Sequence, residues 1–464
     1  MLAGVSVVHR NIAARRTTTA GAIGVAVALT AATAQAQTPS PCAGVDDCRL
    51  AQDRLDLRGR SSLDVGSGAR AYGMGGAFLA RADDATAASW NPAGLSYLRR
   101  PELSLVGARN SFSSQEVRPE TGAVETEAGL GRVADFVAAT YPVTIGSVSG
   151  AAQVSYQRVI NFTAERVAEN ADILRTGKAE GGFDVIALGT GLRVFDSLRL
   201  GATLNRWLNG YTQTLIREPL VGRTRGRVDQ DSEFDLSGWN ANVGMIWEPF
   251  ESLNLGLVGK TPFTADVTLR RERTDVHPSG GGFTRNAAAS DDVRLDLPGA
   301  IGVGASWRPL GQLTVSADYT RTFWSHARVR NFFTLAPTSD GEEPPTPKES
   351  GDFYASLPYP TLDAPANDTE QLRVGVEYVI IGDRIRWPVR AGYFSDRQTY
   401  RDATGSSPRF NGATVGLGVG VGPLLLDVAF VYELGDYIDP SLFEQSLTAR
   451  RVLISLIYRD LVRR

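Results

Sequence analysis

From Pro101 onward, apolar and polar residues alternate with a period of two. In 312–320, Leu313, Val315, Ala317 and Tyr319 take turns with Thr314, Ser316, Asp318 and Thr320. In 148–157, Val148, Ala152, Val154 and Tyr156 take turns with Ser149, Gln153, Ser155 and Gln157. Successive side chains of a strand point to opposite faces, so this is the pattern of strands with one apolar face. No amphipathic helix longer than about three turns interrupts it. The pattern predicts about fourteen strands: 101–112, 132–142, 147–160, 181–195, 198–216, 232–248, 252–272, 291–308, 312–325, 369–380, 384–396, 408–421, 424–434 and 446–458.

The connections narrow the fold further. Thr144-Ile145-Gly146, Asp196-Ser197, Pro249-Phe250-Glu251, Pro309-Leu310-Gly311, Ile381-Gly382-Asp383 and Gly422-Pro423 are tight turns. Between them lie long polar segments at 113–131, 161–180, 217–231, 273–290, 326–368, 397–407 and 435–445. A strict alternation of short and long connections has no purpose in a soluble sandwich. It is the habit of an outer-membrane barrel, with short periplasmic turns and long external loops. An even strand number puts both termini in the periplasm.

Aromatic residues support the same topology. Tyr141, Trp247, Trp307 and Tyr378 share the apolar parity near the short turns, while Tyr156, Tyr319 and Tyr432 share it at the far ends of the upward strands. They predict two aromatic girdles. Val148 to Tyr156 spans about 20 Å of height, at ~3.3 Å per residue and a tilt near 40°. The predicted class is therefore all-β: a transmembrane antiparallel barrel with apolar residues toward lipid and polar ones toward the lumen.

Composition removes other classes. The formal net charge is −3, from 48 Lys+Arg against 51 Asp+Glu, which gives no broad basic surface for nucleic acid. Three histidines and two cysteines, with no C-x-x-C or H-E-x-x-H, offer no metal centre, and no cofactor is expected. No nucleophile elbow or phosphate loop is present, so the chain is not expected to be an enzyme. A barrel lipase has only His277 and His326 to draw on, both in external segments.

The N-terminal part differs from the rest. Residues 1–36 carry Arg10, Arg15 and Arg16, an uncharged Ala/Val-rich stretch and Ala34-Gln35-Ala36, the pattern of a secretory signal peptide. Cys42 and Cys48 follow it, and in an oxidising compartment they are expected to pair with each other. Residues 37–100 form a periplasmic segment with a glycine-rich stretch and a short helix predicted at Asp84–Ser89, stopped by Asn91-Pro92. They are too many for a turn. A lumen as wide as fourteen strands leaks unless it is occupied, so this segment is expected to be a plug, or hatch, and 101–464 the barrel.

The stretch Gly68-Ala69-Arg70 through Gly73, Gly75 and Gly76, then Asp83-Asp84-Ala85 and Trp90-Asn91-Pro92-Ala93-Gly94-Leu95, resembles the outer-membrane long-chain fatty-acid transporter family, which includes aromatic-hydrocarbon channels. Leu297-Pro298-Gly299, Val303 to Pro309 and Arg390-Ala391-Gly392-Tyr393 are similar to its barrel. The N-terminal motif is shared with related barrels that shuttle in protein secretion. The resemblance implies a hatch-plugged barrel through which hydrophobic molecules diffuse without ATP. The alternative is a non-transporting barrel that docks periplasmic or secreted proteins. The expected surroundings are outer-membrane lipid and lipopolysaccharide, with insertion by the barrel-assembly machinery and a monomeric state.

Gln153, Asn205, Asn254, Lys260, Asp318, Arg373, Glu377 and Asp427 fall at lumen parity. Lys260 and Arg373 are candidates to hold a carboxylate headgroup; the other possibility is an internal salt-bridge network with the hatch. Gly416, Gly418 and Gly420 leave a lumen wall without side chains, against which either the hatch or a ligand could lie. Arg158, Arg206 and Arg321 have outward parity beyond the apolar band and are expected to meet lipid phosphates.

Overall fold

The computed structural model describes residues 66–118, 122–169, 173–219, 227–276, 282–287, 293–330, 351–352, 367–399, 402, 404–438 and 444–459. The proposed signal, Cys42 and Cys48 lie outside the described residues. So does His277.

Among the described residues twenty-one strand segments join into one sheet, and they make up a closed antiparallel barrel of 14 strands. In chain order these are β1 Glu102–Arg118, β2 Gly122–Ile145, β3 Val148–Asn161 continued by Ala164–Glu169, and β4 Ile173–Phe195. Next come β5 Leu198–Leu208 with Gly210–Pro219, β6 Arg227–Phe250, β7 Leu253–Lys260 with Phe263–Val276, and β8 Val293–Leu297 with Ala300–Leu310. The last six are β9 Leu313–Thr322, β10 Thr369–Ile381, β11 Ile385–Arg397, β12 Arg409–Val421, β13 Leu424–Ile438 and β14 Glu444–Arg459. Each strand pairs with its sequence neighbours, and β1 closes on β14 from Glu102↔Arg459 to Val117↔Glu444.

All six tight turns fall where the sequence places them. The long connections are another matter. Polar stretches expected as loops at 113–118, 122–131, 173–180 and 227–231 are strand, because the hairpins keep their ladders beyond the apolar band. A period-two search for an apolar face misses such extensions, since both faces there are polar.

The parity is inside out relative to a soluble protein. Leu424, Leu426, Val428, Phe430, Tyr432 and Leu434 of β13 are exposed, while Asp427 and Glu433 are buried. Trp307 is 53% exposed and Tyr141 62%, far more than water tolerates around a whole ring of such residues. A continuous outward apolar belt on a sheet that closes on itself is the surface of a membrane-spanning barrel.

The ladder is interrupted in four strands between β3 and β8. Phe162-Thr163 breaks β3, Asn209 (φ 68) breaks β5, Thr261-Pro262 breaks β7 and Pro298-Gly299 breaks β8. Prolines 262 and 298 have no N–H to give. Such irregularities re-aim the side chains beyond them.

Candidate functional site: the inner wall and the segment against it

Residues 66–98 are almost wholly buried against the polar faces of the strands. They contain α1 Ala69–Gly73, α2 Ala87–Trp90 and a 3₁₀ turn Pro92–Tyr97. The helix α2 begins three residues later than the sequence predicts. Asp84 accepts from Thr86 N (2.9 Å) and Thr86 Oγ1 (2.6 Å), which holds the chain in a turn before the helix starts. Tyr72, Phe78 and Trp90 form a small core of edge-to-face rings 6.0 Å apart.

Taken along the segment, the contacts run round the wall from β2 through β14, β12 and β9 to β7, and then reach β3 and β6. Ser67 donates to Asp135 of β2. Ala69 N donates to Ser455 Oγ of β14 (2.7 Å) and Gly75 N to Thr414 Oγ1 of β12 (2.9 Å). Phe78 N and Leu79 N both donate to Asp318 Oδ2 of β9 (2.6 and 2.8 Å). Asn254 Nδ2 of β7 donates to Ala80 O (3.3 Å), and Gln153 Nε2 of β3 to Ala85 O (2.8 Å). Asn91 Nδ2 donates to Leu79 O (2.8 Å) and to Met245 O of β6 (3.1 Å), while its Oδ1 accepts from Ala93 N (3.1 Å). A single asparagine thus ties two parts of the segment to the wall and opens the 3₁₀ turn, and Pro92 follows where no N–H is needed.

The wall makes room with glycine. Gly375 and Gly392 are paired across β10 and β11, and a Cβ on either would strike the Met74-Gly75 backbone. Gly75 itself has φ +67 and lies against Val374 O and Tyr393 N, where a side chain would fit neither the space nor the dihedral. On the other side, Gly191 and Gly201 leave space for Pro92 and Ser96, and Gly244 for Asn91. Within the segment, Gly68 abuts Thr86, Gly76 abuts Arg373, and a Cβ on Gly94 would overlap Ala82 O. The glycine row of β12 divides. Gly416 meets the backbone of Gly73, with a Cβ on Gly73 only 3.0 Å from Gly416 Cα. Gly418 lies instead beneath Pro388 and Asp427, and Gly420 beside Leu425 and Arg386.

Charge gathers on one side of the lumen. Arg70 reaches Glu377 with two bonds of 3.0 Å, Asp83 at 2.6 Å and Asp84 at 3.5 Å. Arg390 joins Glu377 (2.8 Å) to Asp427 (2.6 Å), and Arg81 pairs with Asp83. Arg373 is bound to Asp396 (3.0 Å), donates to Gly75 O (3.2 Å) and covers the Phe394 ring. Burial would raise the Asp83 carboxyl, but the Arg70 and Arg81 guanidiniums outweigh it and hold Asp83 below the usual carboxylate range.

The other side is apolar above the segment. Phe162, Phe183, Val185, Trp207, Leu236 and Val267 belong to one buried cluster on the inner face of β3–β8. Phe162 stacks near Tyr211 (4.3 Å) and Phe183 (5.1 Å), Tyr211 lies on Phe234 (5.4 Å), and Trp207 on Phe263 (5.2 Å). Sequence reasoning missed this cluster. The signal was there: Val185, Ala187 and Trp207 take the parity of Thr203 and Asn205, which faces inward. Below the cluster lies a cavity of about 50 Å³ lined by Ser89, Asn205, Trp207, Asn240 and Lys260. A second cavity of about 20 Å³ shares Ser89 and Lys260 with it and also touches Arg373. Lys260 therefore faces both cavities, while Arg373 faces only the smaller and is held by Asp396.

The three rim arginines meet protein groups. Arg158 forms a two-bond pair with Asp184 (2.6 and 2.8 Å) beside a bulge in β3, which turns it from the outward parity. Arg206 lies over Trp239 and Arg321 pairs with Asp368 (3.0 Å).

No family model matches the sequence, and no curated protein does. Solved structures do match. A Pseudomonas aeruginosa FadL homologue superposes with a TM-score of 0.58 at 14% identity, covering 85% of this chain and 98% of that one. The Ralstonia pickettii toluene transporter TbuX gives 0.56 at 16% identity, over 85% and 99%. The CymD monoaromatic hydrocarbon channel gives 0.55 at 15% identity, over 85% and 98%. This chain shares their fold. Identities this low carry the fold and nothing finer, so what the chain does rests on its own inner wall.

Proposed function

We propose that this chain is an outer-membrane channel for passive uptake of hydrophobic small molecules, such as long-chain fatty acids or hydrocarbons. The observation that carries the reading is the aromatic cluster on the inner face of β3–β8. A pore for water and ions gains nothing from inward phenyl and indole rings. An apolar solute does, at roughly 25 cal/mol for each Å² it removes from water. The similar fold of a toluene transporter and a monoaromatic hydrocarbon channel supports the reading.

In this reading residues 1–36 are a cleaved signal, 37–100 the periplasmic segment and hatch, and 101–464 the barrel. The hatch blocks polar solutes and gives way to the solute from the aromatic side. The motif residues Gly68 to Gly94 are the seats of the hatch on the wall. The barrel works as a monomer within lipid and lipopolysaccharide, inserted by the barrel-assembly machinery, and needs no cofactor or energy source.

The test is accumulation of a radiolabelled fatty acid or toluene by cells with and without the full chain in their outer membrane. Uptake is expected to rise several-fold with the chain, and to fall back when the aromatic cluster is truncated. Unchanged uptake, together with co-purification of a periplasmic protein, would favour the docking barrel.

A further inference from the structure

The smaller cavity contains chemistry that the uptake of a pure hydrocarbon does not use. It lies between the Leu79 turn and the inner faces of β7–β10, with apolar walls from Leu79, Trp90 and Val258. Two of its lining side chains carry buried polar atoms without a hydrogen-bond partner, Asp318 Oδ1 and Gln371 Nε2, and both residues are 3% exposed. The first is an acceptor and the second a donor. Asp318 is registered with Arg373 and Gln371 with Thr320, so the two are diagonal neighbours on one face, ~7–8 Å apart at Cα. A buried unpaired donor or acceptor costs about 1–3 kcal/mol, so a pair left open at one cavity calls for an occupant. About 20 Å³ has space for one oxygen-sized group. The larger cavity, which shares Ser89 and Lys260 with it, is lined by Trp207 of the aromatic cluster.

Resting on the uptake reading, we propose that this cavity is a headgroup site for a neutral hydroxyl, so that the preferred solutes are hydrophobic alcohols or phenols. The hydroxyl donates to Asp318 Oδ1 and accepts from Gln371 Nε2, while the apolar body lies toward Trp207. A carboxylate fits less well, because it has no proton to give to Asp318 Oδ1.

The test uses the full chain in detergent and three probes of one size: 4-propylphenol, propylbenzene and 4-propylbenzoate. Calorimetric titration should find the phenol bound about tenfold more tightly than propylbenzene, and the benzoate no more tightly than propylbenzene. Gln371→Leu should bring the phenol down to the propylbenzene level without changing propylbenzene itself. Should that variant fail to insert, the wild-type series decides alone. Equal affinity for phenol and propylbenzene overturns the headgroup site while leaving uptake intact. Tightest binding of the benzoate overturns it too, and returns the headgroup to Lys260. Failure of all three to bind removes the uptake reading, and the site with it. A crystal soaked in the phenol with only an ordered water in this cavity also overturns the proposal.

Discussion

The inner wall changes character halfway round the barrel. Strands β3–β8 present aromatic and aliphatic side chains above the N-terminal segment and hold that segment through neutral contacts, Asn91 to Met245 and Pro92 against glycine, and through one charged pair, Arg199 and Glu248 on Ser96 and Tyr97. Strands β10–β13 present Glu377, Arg390, Asp427, Arg373 and Asp396, and hold the segment through Arg70 and Arg81. Neutral contacts to a glycine wall are short-ranged and are lost with a small shift. Ion pairs in a water-poor interior persist over longer distances. Under the proposed function the difference divides two tasks: the charged wall fixes the segment in place, and the apolar wall receives the solute next to its less firmly tied half.

The largest effect should come from breaking the charged side. Glu377→Ala removes the shared partner of Arg70 and Arg390 and leaves both guanidiniums buried with reduced compensation. Breaking a buried pair costs about 3 kcal/mol or more, which exceeds what the remaining neutral contacts recover. Leakage of a small polar antibiotic into cells should rise at least tenfold. The barrel itself should keep its heat-dependent shift on denaturing gels, since its ladders close without the segment. An unchanged leak would mean that the neutral side alone holds the segment, and the division of tasks would fail.

The next effect is on the apolar side. Phe183 touches Phe162, Tyr211 and Phe234. Phe183→Ala opens the centre of the cluster, where a truncated ring costs about 3–5 kcal/mol of local packing. Uptake of a labelled hydrocarbon should fall roughly tenfold, with leakage to polar antibiotics unchanged. A variant that leaks and still takes up hydrocarbon would reverse the assignment of the two walls.

The barrel was legible in the sequence because a period of two depends only on which face meets lipid. Leu313 to Thr320 and the turn Gly422-Pro423 needed no knowledge of partners. The division of the wall was not legible, because it is made of distant contacts. Arg70 and Glu377 are 307 positions apart, and no local pattern joins them. Phe162 lies in a segment that looks like a polar loop, Tyr211 in a strand whose inward aim beyond Asn209 no local pattern shows, and both depend on the ladder breaks beside them. The glycine row at Gly416–Gly420 was visible as a row, yet only its first member meets the segment, because Arg390 and Asp427 fill the space beside Gly418.

The smallest expected effect sharpens the comparison by pH. Asp83 joins Arg70 (2.6 Å) to Arg81, with Asp84 and Glu377 sharing Arg70 from the segment and from β10. Its carboxyl titrates lower in the folded protein than in the unfolded chain. A depressed acid contributes stability that is fully present above its unfolded value, near 4, and lost as pH falls through the folded value. The segment should therefore stay tight from neutral pH down to about pH 4 and loosen below it. Asp83 is partly open to water, so the effect should be modest, about a doubling of channel conductance in planar bilayers at pH 3 relative to pH 7. Asp83→Asn, which cannot ionise, should show part of that conductance already at pH 7 and a smaller acid step. The neutral contacts of Asn91 and Pro92 do not titrate in this range, so acid should free the charged side first. If conductance were flat to pH 3 in both proteins, the charged wall would not be what holds the segment.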